Sequence, residues 1–511
     1  MESSSLHRES GVVAIDQGTT STRVSVVDAE GTVRATAQAE HAQHFPRPGW
    51  VEHDAAEIWE STRELMGLAL TRARLRTRDV AAVGITNQRE TVVAWDAATG
   101  VPVHRAIVWQ DTRTEPALAR LRADGLDGLV RERTGLPLAS YFSASRIAWL
   151  LEHVPEAATL SDAGRLRVGT MDSWLLWNLT GGPDGGVHAT DVTNASRTSL
   201  MDVETGRWDP EMLALFGIDE RRWESMAPTI RPSIGVFGEV AGPVALDGVP
   251  VAGILGDQQA ATFGQGILSA GGVKNTYGTG CFLLQHTGSQ RPRSGHGLVV
   301  TVASQREGAP MQYALEGSVA VAGSLVQWLR DNLGLIERSA DVETLADSVA
   351  DDGGVVIVPA FSGLYAPHWR SDARGIVAGL TGYATRAHLA RAALDATAYQ
   401  SRDLFEALVA DTGRAPERLH VDGGMSVNDR LMQFQADLLD IEVVRPAQTE
   451  TTVLGAAHAA GLAVGVWADE SELSALVRPG RRWHPGMAAH DRDALVRRWR
   501  RALERSFDWA E

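Results

Sequence analysis

Apolar runs that break off at Gly, Thr and Asp recur along this chain of 511 residues. Val12-Val13-Ala14-Ile15 has the pattern of a buried strand and runs straight into Asp16-Gln17-Gly18-Thr19-Thr20-Ser21-Thr22-Arg23. A second strand over 24–28 reaches the turn Asp28-Ala29-Glu30-Gly31, which predicts a β-hairpin whose connecting loop carries the Thr-Thr-Ser group. Residues 54–74 have helical spacing, and Val83-Gly84-Ile85-Thr86 is a short strand ending at Asn87-Gln88-Arg89-Glu90. Strand, hairpin, helix, strand is an α/β order, and polar residues at strand ends are where such folds place ligands.

The same order returns in the second half. Val251 to Leu255 leads into Gly256-Asp257-Gln258-Gln259 and a helix, after which Asn275-Thr276-Tyr277-Gly278-Thr279-Gly280-Cys281 forms another Gly/Thr turn before Phe282-Leu283-Leu284. Val319, Ala322, Val326 and Leu329 recur near a 3.6 period and predict a helix over 316–333. Val355 to Pro359 predicts a strand, 386–410 a long helix, 418–422 a strand ending at Gly423-Gly424, and 429–439 a helix. The segments 181–187 and 287–296 have the composition of surface turns. The seam is expected near 245–256, giving domains 1–255 and 256–511.

Composition narrows the class. A net charge of −16 argues against a nucleic-acid partner, which needs a positive surface. Residues around Glu2, Arg8 and Glu9 lack the apolar core of a secretory signal, and no apolar run is long enough for membrane insertion. One cysteine, Cys281, excludes an intramolecular disulfide and any thiolate metal cluster, which fits a reducing cytoplasm. Lys274 is the only lysine, hence the only lysine able to reach a phosphate.

Two Gly/Thr turns, each beside a strand, can present backbone N–H groups and hydroxyls to a polyphosphate from both sides. Asp16, opening the first, is suited to hold Mg²⁺, although an aspartate capping a turn has the same pattern. Thr19, Thr20 and Ser21 add hydroxyls. Arg23 either neutralises phosphate or faces solvent. Asp257 is placed to accept the proton of an attacking alcohol, with Gln258 orienting another hydroxyl; the alternative is a helix N-cap. Arg89-Glu90 can present donors and acceptors to a polyol, or form a solvated pair. Trp109 and Phe282 supply an apolar wall or simply core.

Taken together, these motifs resemble the FGGY carbohydrate kinases. The resemblance runs from Val12 to Trp467 and is carried by Asp16 to Ser21, Asn87 to Thr91, Val108 to Arg113, Tyr141 to Ser143, Thr190 to Arg197, Gly256 to Gln259, Asn275 to Phe282, Val421 to Gly424 and Leu431 to Gln435. It implies a two-domain duplicated actin/hexokinase-like (ribonuclease H-like) ATPase fold with the active site in the interdomain cleft. It also implies ATP- and Mg²⁺-dependent phosphorylation of glycerol to sn-glycerol 3-phosphate, and a homodimer or homotetramer. By resemblance, Arg89, Glu90, Trp109, Tyr141, Asp257, Gln258 and Phe282 bind the acceptor. Thr19, Thr20, Ser21, Arg23, Thr279, Gly323, Gln327, Gly424 and Asn428 bind the nucleotide, Asp16 and Asp257 the metal, and Asp257 is the catalytic base.

A kinase of the same family for dihydroxyacetone or xylulose, a catalytically silent sugar sensor and an actin-like ATPase are the alternatives. Some members carry a basic loop for fructose 1,6-bisphosphate near residue 234. Here Gly235–Val244 has Glu239 and no basic residue, and 228–236 lacks the histidine by which other members are activated, so neither form of regulation is expected. Tyr365 and Arg370 depart from the family's usual pattern and predict altered loop packing near the cleft, with a possible change in nucleotide affinity.

Overall fold

The structure, a computed structural model, describes residues 11–242 and 244–510. The readings made on Glu2, Arg8, Glu9 and Pro243 lie outside the described residues.

Six strands form the first sheet: β1 (Gly11–Gln17), β2 (Ser21–Val27), β3 (Val33–Glu40), β4 (Val80–Asn87), β5 (Ile234–Glu239) and β6 (Pro250–Gly256). Helix α1 (Ala55–Ala73) connects β3 towards β4, capped by Asp54, whose carboxylate accepts from the N–H of Ala56 and Glu57. Helix α2 (Asp257–Gly264) follows β6 without a break.

The second sheet contains β7 (Val273–Tyr277), β8 (Cys281–Gly288), β9 (Val299–Ser304), β10 (Gln312–Val319), β11 (Arg418–Asp422), β12 (Glu442–Pro446) and β13 (Pro479–Trp483). Its helices include α3 (Gly323–Asp331), α4 (Arg386–Thr412), α5 (Asp429–Leu439) and α6 (Thr451–Val464).

The strand orders are β5-β6-β4-β1-β2-β3 and β9-β10-β8-β7-β11-β12-β13. In each sheet a hairpin (β1-β2, β7-β8) has an antiparallel strand outside it (β3, β10). Two parallel strands stand on the other side (β4 and β6, β11 and β12), closed by an antiparallel edge (β5, β13). The second sheet is therefore the first repeated, with β9 added, in the duplicated two-domain α/β architecture of the actin/hexokinase-like ATPases.

Each sheet has its own apolar core. A third core joins the first sheet to α2 and to α6, which comes from the far end of the sequence. Small residues make this possible: a Cβ on Gly84 in β4 would stand 2.1 Å from the Ala456 carbonyl of α6.

Several sequence-based boundaries move. Residues 316–319 are strand, not helix, because β10 is buried along almost its whole length and its apolar run has no single face; the helix begins at Gly323. Ser21 is the first residue of β2 rather than part of the loop. Thr287 and Gly288 complete β8.

Candidate active site

Strand β4 ends at Asn87, and the chain then turns through Arg89 and Glu90. Glu90 has φ +61°, the left-handed region that costs a non-glycine residue about 1–3 kcal/mol. Its carbonyl accepts hydrogen bonds from Ser143 Oγ (2.9 Å) and Arg146 Nη1 (3.1 Å), which hold the turn. Buried Arg146 also donates to the carbonyls of Trp109 and Tyr141 at 2.8 and 3.0 Å, so one guanidinium gathers the loops carrying all three residues.

Arg89 and Glu90 are each 2% exposed, which removes the solvated-pair reading, and they lie 3.9 Å from one another. Their closer partners come from elsewhere. Arg89 donates to both oxygens of Glu316 at 2.6 and 2.9 Å and to Gln259 Oε1 at 3.3 Å, with its Nε 3.1 Å from Asp257 Oδ1. Arg197 Nε donates to Glu90 at 2.7 Å and its Nη2 to Glu316 at 3.1 Å, while its guanidinium carbon stands 5.5 Å from the Tyr141 ring centroid. Removing one partner from a buried ion pair costs about 3–5 kcal/mol, so the cluster is rigidly specified.

Gly256 takes the N-cap position of α2, and Asp257 is the first residue inside the helix, where the dipole favours a carboxylate. The N-cap alternative for Asp257 is therefore set aside. A Cβ on Gly256 would stand 2.6 Å from Arg89 Cδ, so glycine is what lets the arginine reach Asp257. The Asp257 side chain is 30% exposed. Burial raises its pKa, and the charges of Arg89 and Lys274 partly offset this.

Lys274 is fully buried on β7, and its Nζ donates to Gln258 Oε1 and, at 2.7 Å, to Thr276 Oγ1. Burial brings its pKa down to about 8. The only lysine is thus engaged beneath Gln258 rather than free for a phosphate. With Oε1 held by Lys274, the Gln258 amide keeps its N–H groups as donors for another partner.

Trp109, Tyr141 and Phe282 pack together: the Trp109 ring meets Tyr141 edge-on at 5.6 Å and Phe282 at 6.3 Å. Trp109 Nε1 donates to Thr19 Oγ1 at 3.0 Å, joining this aromatic cluster to the first Gly/Thr turn. Tyr365 packs on Tyr141 at 5.7 Å, which puts it beside the aromatic cluster. Arg370 is paired with Asp372 and Asp508 and braces its loop against the C-terminal residues.

The residues assigned to the nucleotide fall into two groups. Thr19, Thr20 and Ser21 stand at the β1-β2 turn, with Ser21 Oγ accepting from Gln38 at 3.0 Å. Arg23 lies opposite Asp16 across the hairpin, where it donates to Gln38 at 3.3 Å and is paired with Glu450 at a partly exposed position. In the second group, the Thr279 carbonyl accepts from Ala322 N (2.9 Å) and Ser324 N (3.2 Å), docking the second turn on the start of α3 at Gly323. Gln327 is exposed one turn further along. Gly424 follows β11, and Asn428 Oδ1 caps α5 by accepting from Leu431 N at 2.8 Å.

Asp16 is half-buried, and its pKa is raised to about 6, first by burial and further by the charge of Asp257, against the lowering effect of Arg23. A carboxylate whose pKa is raised by a second carboxylate suits a divalent cation, whose charge would relieve that repulsion. Among the described residues no group of three or more His, Cys, Asp or Glu is arranged to hold a metal. Two carboxylates fit Mg²⁺, which keeps several waters and takes further oxygens from phosphates.

Glu316, Arg197 and Arg146 carry no site role in the sequence reading, and Lys274 carries a different one, as a phosphate contact. The available signal was a lone carboxylate inside the apolar strand Tyr313-Ala314-Leu315-Glu316 and an arginine closing the motif Thr190 to Arg197. Buried charges of this kind require partners.

Comparison with known proteins places this geometry in a family. Residues 11–264 match the FGGY family of carbohydrate kinases, N-terminal domain, and 273–464 its C-terminal domain. The glycerol kinase of Methylorubrum extorquens (strain PA1) is 58% identical over 500 residues, covering 98% of this chain and 99% of that protein. The glycerol kinase of Renibacterium salmoninarum is 56% identical over 500 residues, covering 98% of each. Among solved structures, Plasmodium falciparum glycerol kinase with ADP superposes with a TM-score of 0.88 at 38% identity over 98% of each chain. A xylulose kinase from Lactobacillus acidophilus, at 20% identity and TM-score 0.84 over 98% of this chain and 99% of that one, shares the fold. The chain belongs to the FGGY family of carbohydrate kinases.

Proposed function

We propose that this chain transfers the γ-phosphoryl group of Mg²⁺-ATP to the C3 hydroxyl of glycerol, giving sn-glycerol 3-phosphate and ADP, with Asp257 as general base. The observation that carries the reading is the 3.1 Å approach of Arg89 to Asp257 at the start of α2. It occurs in a chain 58% identical to a glycerol kinase over 98% of its length.

The acceptor oxygen attacks phosphorus in line with the departing β–γ bridging oxygen. A carbon-oxygen-phosphorus link forms, the bond to ADP breaks, and the hydroxyl proton passes to the Asp257 carboxylate. Burial strengthens that carboxylate as a base, since its raised pKa favours taking the proton. Arg89, Glu90 and the Gln258 amide hold the hydroxyls, and Trp109, Tyr141 and Phe282 cover the carbon chain. Thr19, Thr20, Ser21 and Arg23 from one lobe and Thr279, Gly323, Gln327, Gly424 and Asn428 from the other hold the nucleotide. Asp16 and Asp257 are the residues that would hold Mg²⁺, which when bound would supply neutralisation of the phosphate charge.

Asp257→Asn is expected to lower kcat by about 10²–10⁴-fold while metal-free ADP affinity stays near wild type, because it removes the base and a metal carboxylate but no nucleotide contact. Turnover near wild type would sink the assignment. An acceptor screen by kcat/KM with glycerol, dihydroxyacetone, xylulose and water tests the substrate, and a higher value for xylulose than for glycerol would overturn it. We also assign the chain to the cytoplasm, in line with its single cysteine, and to a homodimer or homotetramer, which sedimentation of the purified protein tests. Among the described residues no helix is long and apolar enough to cross a membrane.

A further inference from the structure

We infer that Glu316 is a positioning residue for the phosphoryl acceptor: from β10 in the second sheet it holds Arg89 so that only the Nε edge of the guanidinium faces Asp257. The inference rests on the reading of Asp257 as the base.

Three carboxylates surround the Arg89 fork: Glu90 at 3.9 Å, Asp257 at 3.1 Å and Glu316 at 2.6 Å. A guanidinium binds one carboxylate best through two parallel N–H groups, and whichever carboxylate takes that edge neutralises it most. Glu316 takes it, accepting from Nη1 and Nη2 at 2.6 and 2.9 Å. Asp257 meets this guanidinium only through Nε, on the same Oδ1 that accepts from the Gln258 N–H at 2.7 Å, and its Oδ2 accepts no hydrogen bond among the described residues. Were the fork to turn onto Asp257, the base would be neutralised by its own neighbour.

Glu316 is held in turn. Arg197 Nη2 donates to it at 3.1 Å and Ser318 Oγ at 3.3 Å, so its carboxylate cannot follow Arg89 if the arginine swings. Glu316 and Arg197 are fully buried and Arg89 is 2% exposed, so water does not stand in for any of these partners. Arg89 and Arg197 belong to the first lobe and Glu316 to the second. The acceptor site is therefore complete only when the two sheets are as close as they are here.

The test is a double-variant cycle in the full-length protein, measuring kcat and KM for glycerol and the Kd of ADP in wild type, Glu316→Gln, Arg89→Gln and the double variant. Glu316→Gln is expected to lose about 100-fold in kcat/KM for glycerol, the scale of a misplaced reacting group, while the Kd of ADP stays within about twofold. The double variant is expected to be no worse than Arg89→Gln alone, within about threefold, because Glu316 acts through the arginine. Losses that multiply, or wild-type kcat/KM in Glu316→Gln, would overturn the inference. If Glu316→Gln does not fold, Arg197→Lys takes its place in the cycle, since it keeps the charge but loosens Glu316; multiplying losses there overturn the inference equally. Failure of the functional reading is distinguishable, since it shows in the wild type as absence of glycerol turnover, and the cycle is then run with the acceptor that the screen identifies.

Discussion

Glu90 shows at the level of one residue how this site is built. A left-handed glutamate persists because Ser143 and Arg146 hold its carbonyl, and the conformation lets the carboxylate meet Arg197 at 2.7 Å. Arg89, Glu90, Asp257 and Gln258 could be picked out in the sequence because each is a polar residue where an apolar strand stops. Glu316 could not be assigned, since its arginine partner is 227 positions away and only the folded sheets bring them together. Lys274 offers a test at this scale. Its ammonium lowers the Asp257 pKa, so Lys274→Met should let that pKa rise further. A base that protonates at higher pH loses activity earlier on acidification. The acid limb of the kcat/KM profile for glycerol should therefore move to higher pH, and an unmoved limb would show that Lys274 does not act on Asp257. Asp16→Asn should reduce the gain in ADP affinity that Mg²⁺ provides, measured by titration with and without the metal.

Elements were legible where a hydrophobic run had a single meaning. The β1-β2 hairpin, α5 and β11 follow directly from strand and helix spacing, whereas the 316–333 segment mixed a strand buried on both faces with a helix and could not be divided by period. Nor could period show that α6, late in the sequence, lies on the first sheet. That packing depends on the missing side chain at Gly84. Gly84→Ala should overpack the β4–α6 contact and destabilise the protein by about 1–3 kcal/mol, read as a lower midpoint in thermal melting. A midpoint equal to wild type would mean that the helix yields without cost.

Across the whole molecule, the duplicated sheets were foreseeable from the repeated strand-and-turn order, but the way the chain interlocks them was not. Because α6 covers the face of the first sheet beside α2, a fragment spanning 11–264 should expose that core and bind a hydrophobic dye, whereas the intact chain should not. The β7–β8 hairpin of the second sheet has a practical consequence. It holds the only lysine and the only cysteine of the sequence, both fully buried and on adjoining antiparallel strands. An amine reagent and a thiol reagent therefore each find one side chain to modify, on the same hairpin and only when it opens. Matching labelling rates at Lys274 and Cys281 would time the opening of this hairpin as a unit, giving a two-colour chemical clock for local unfolding that needs no engineered residue.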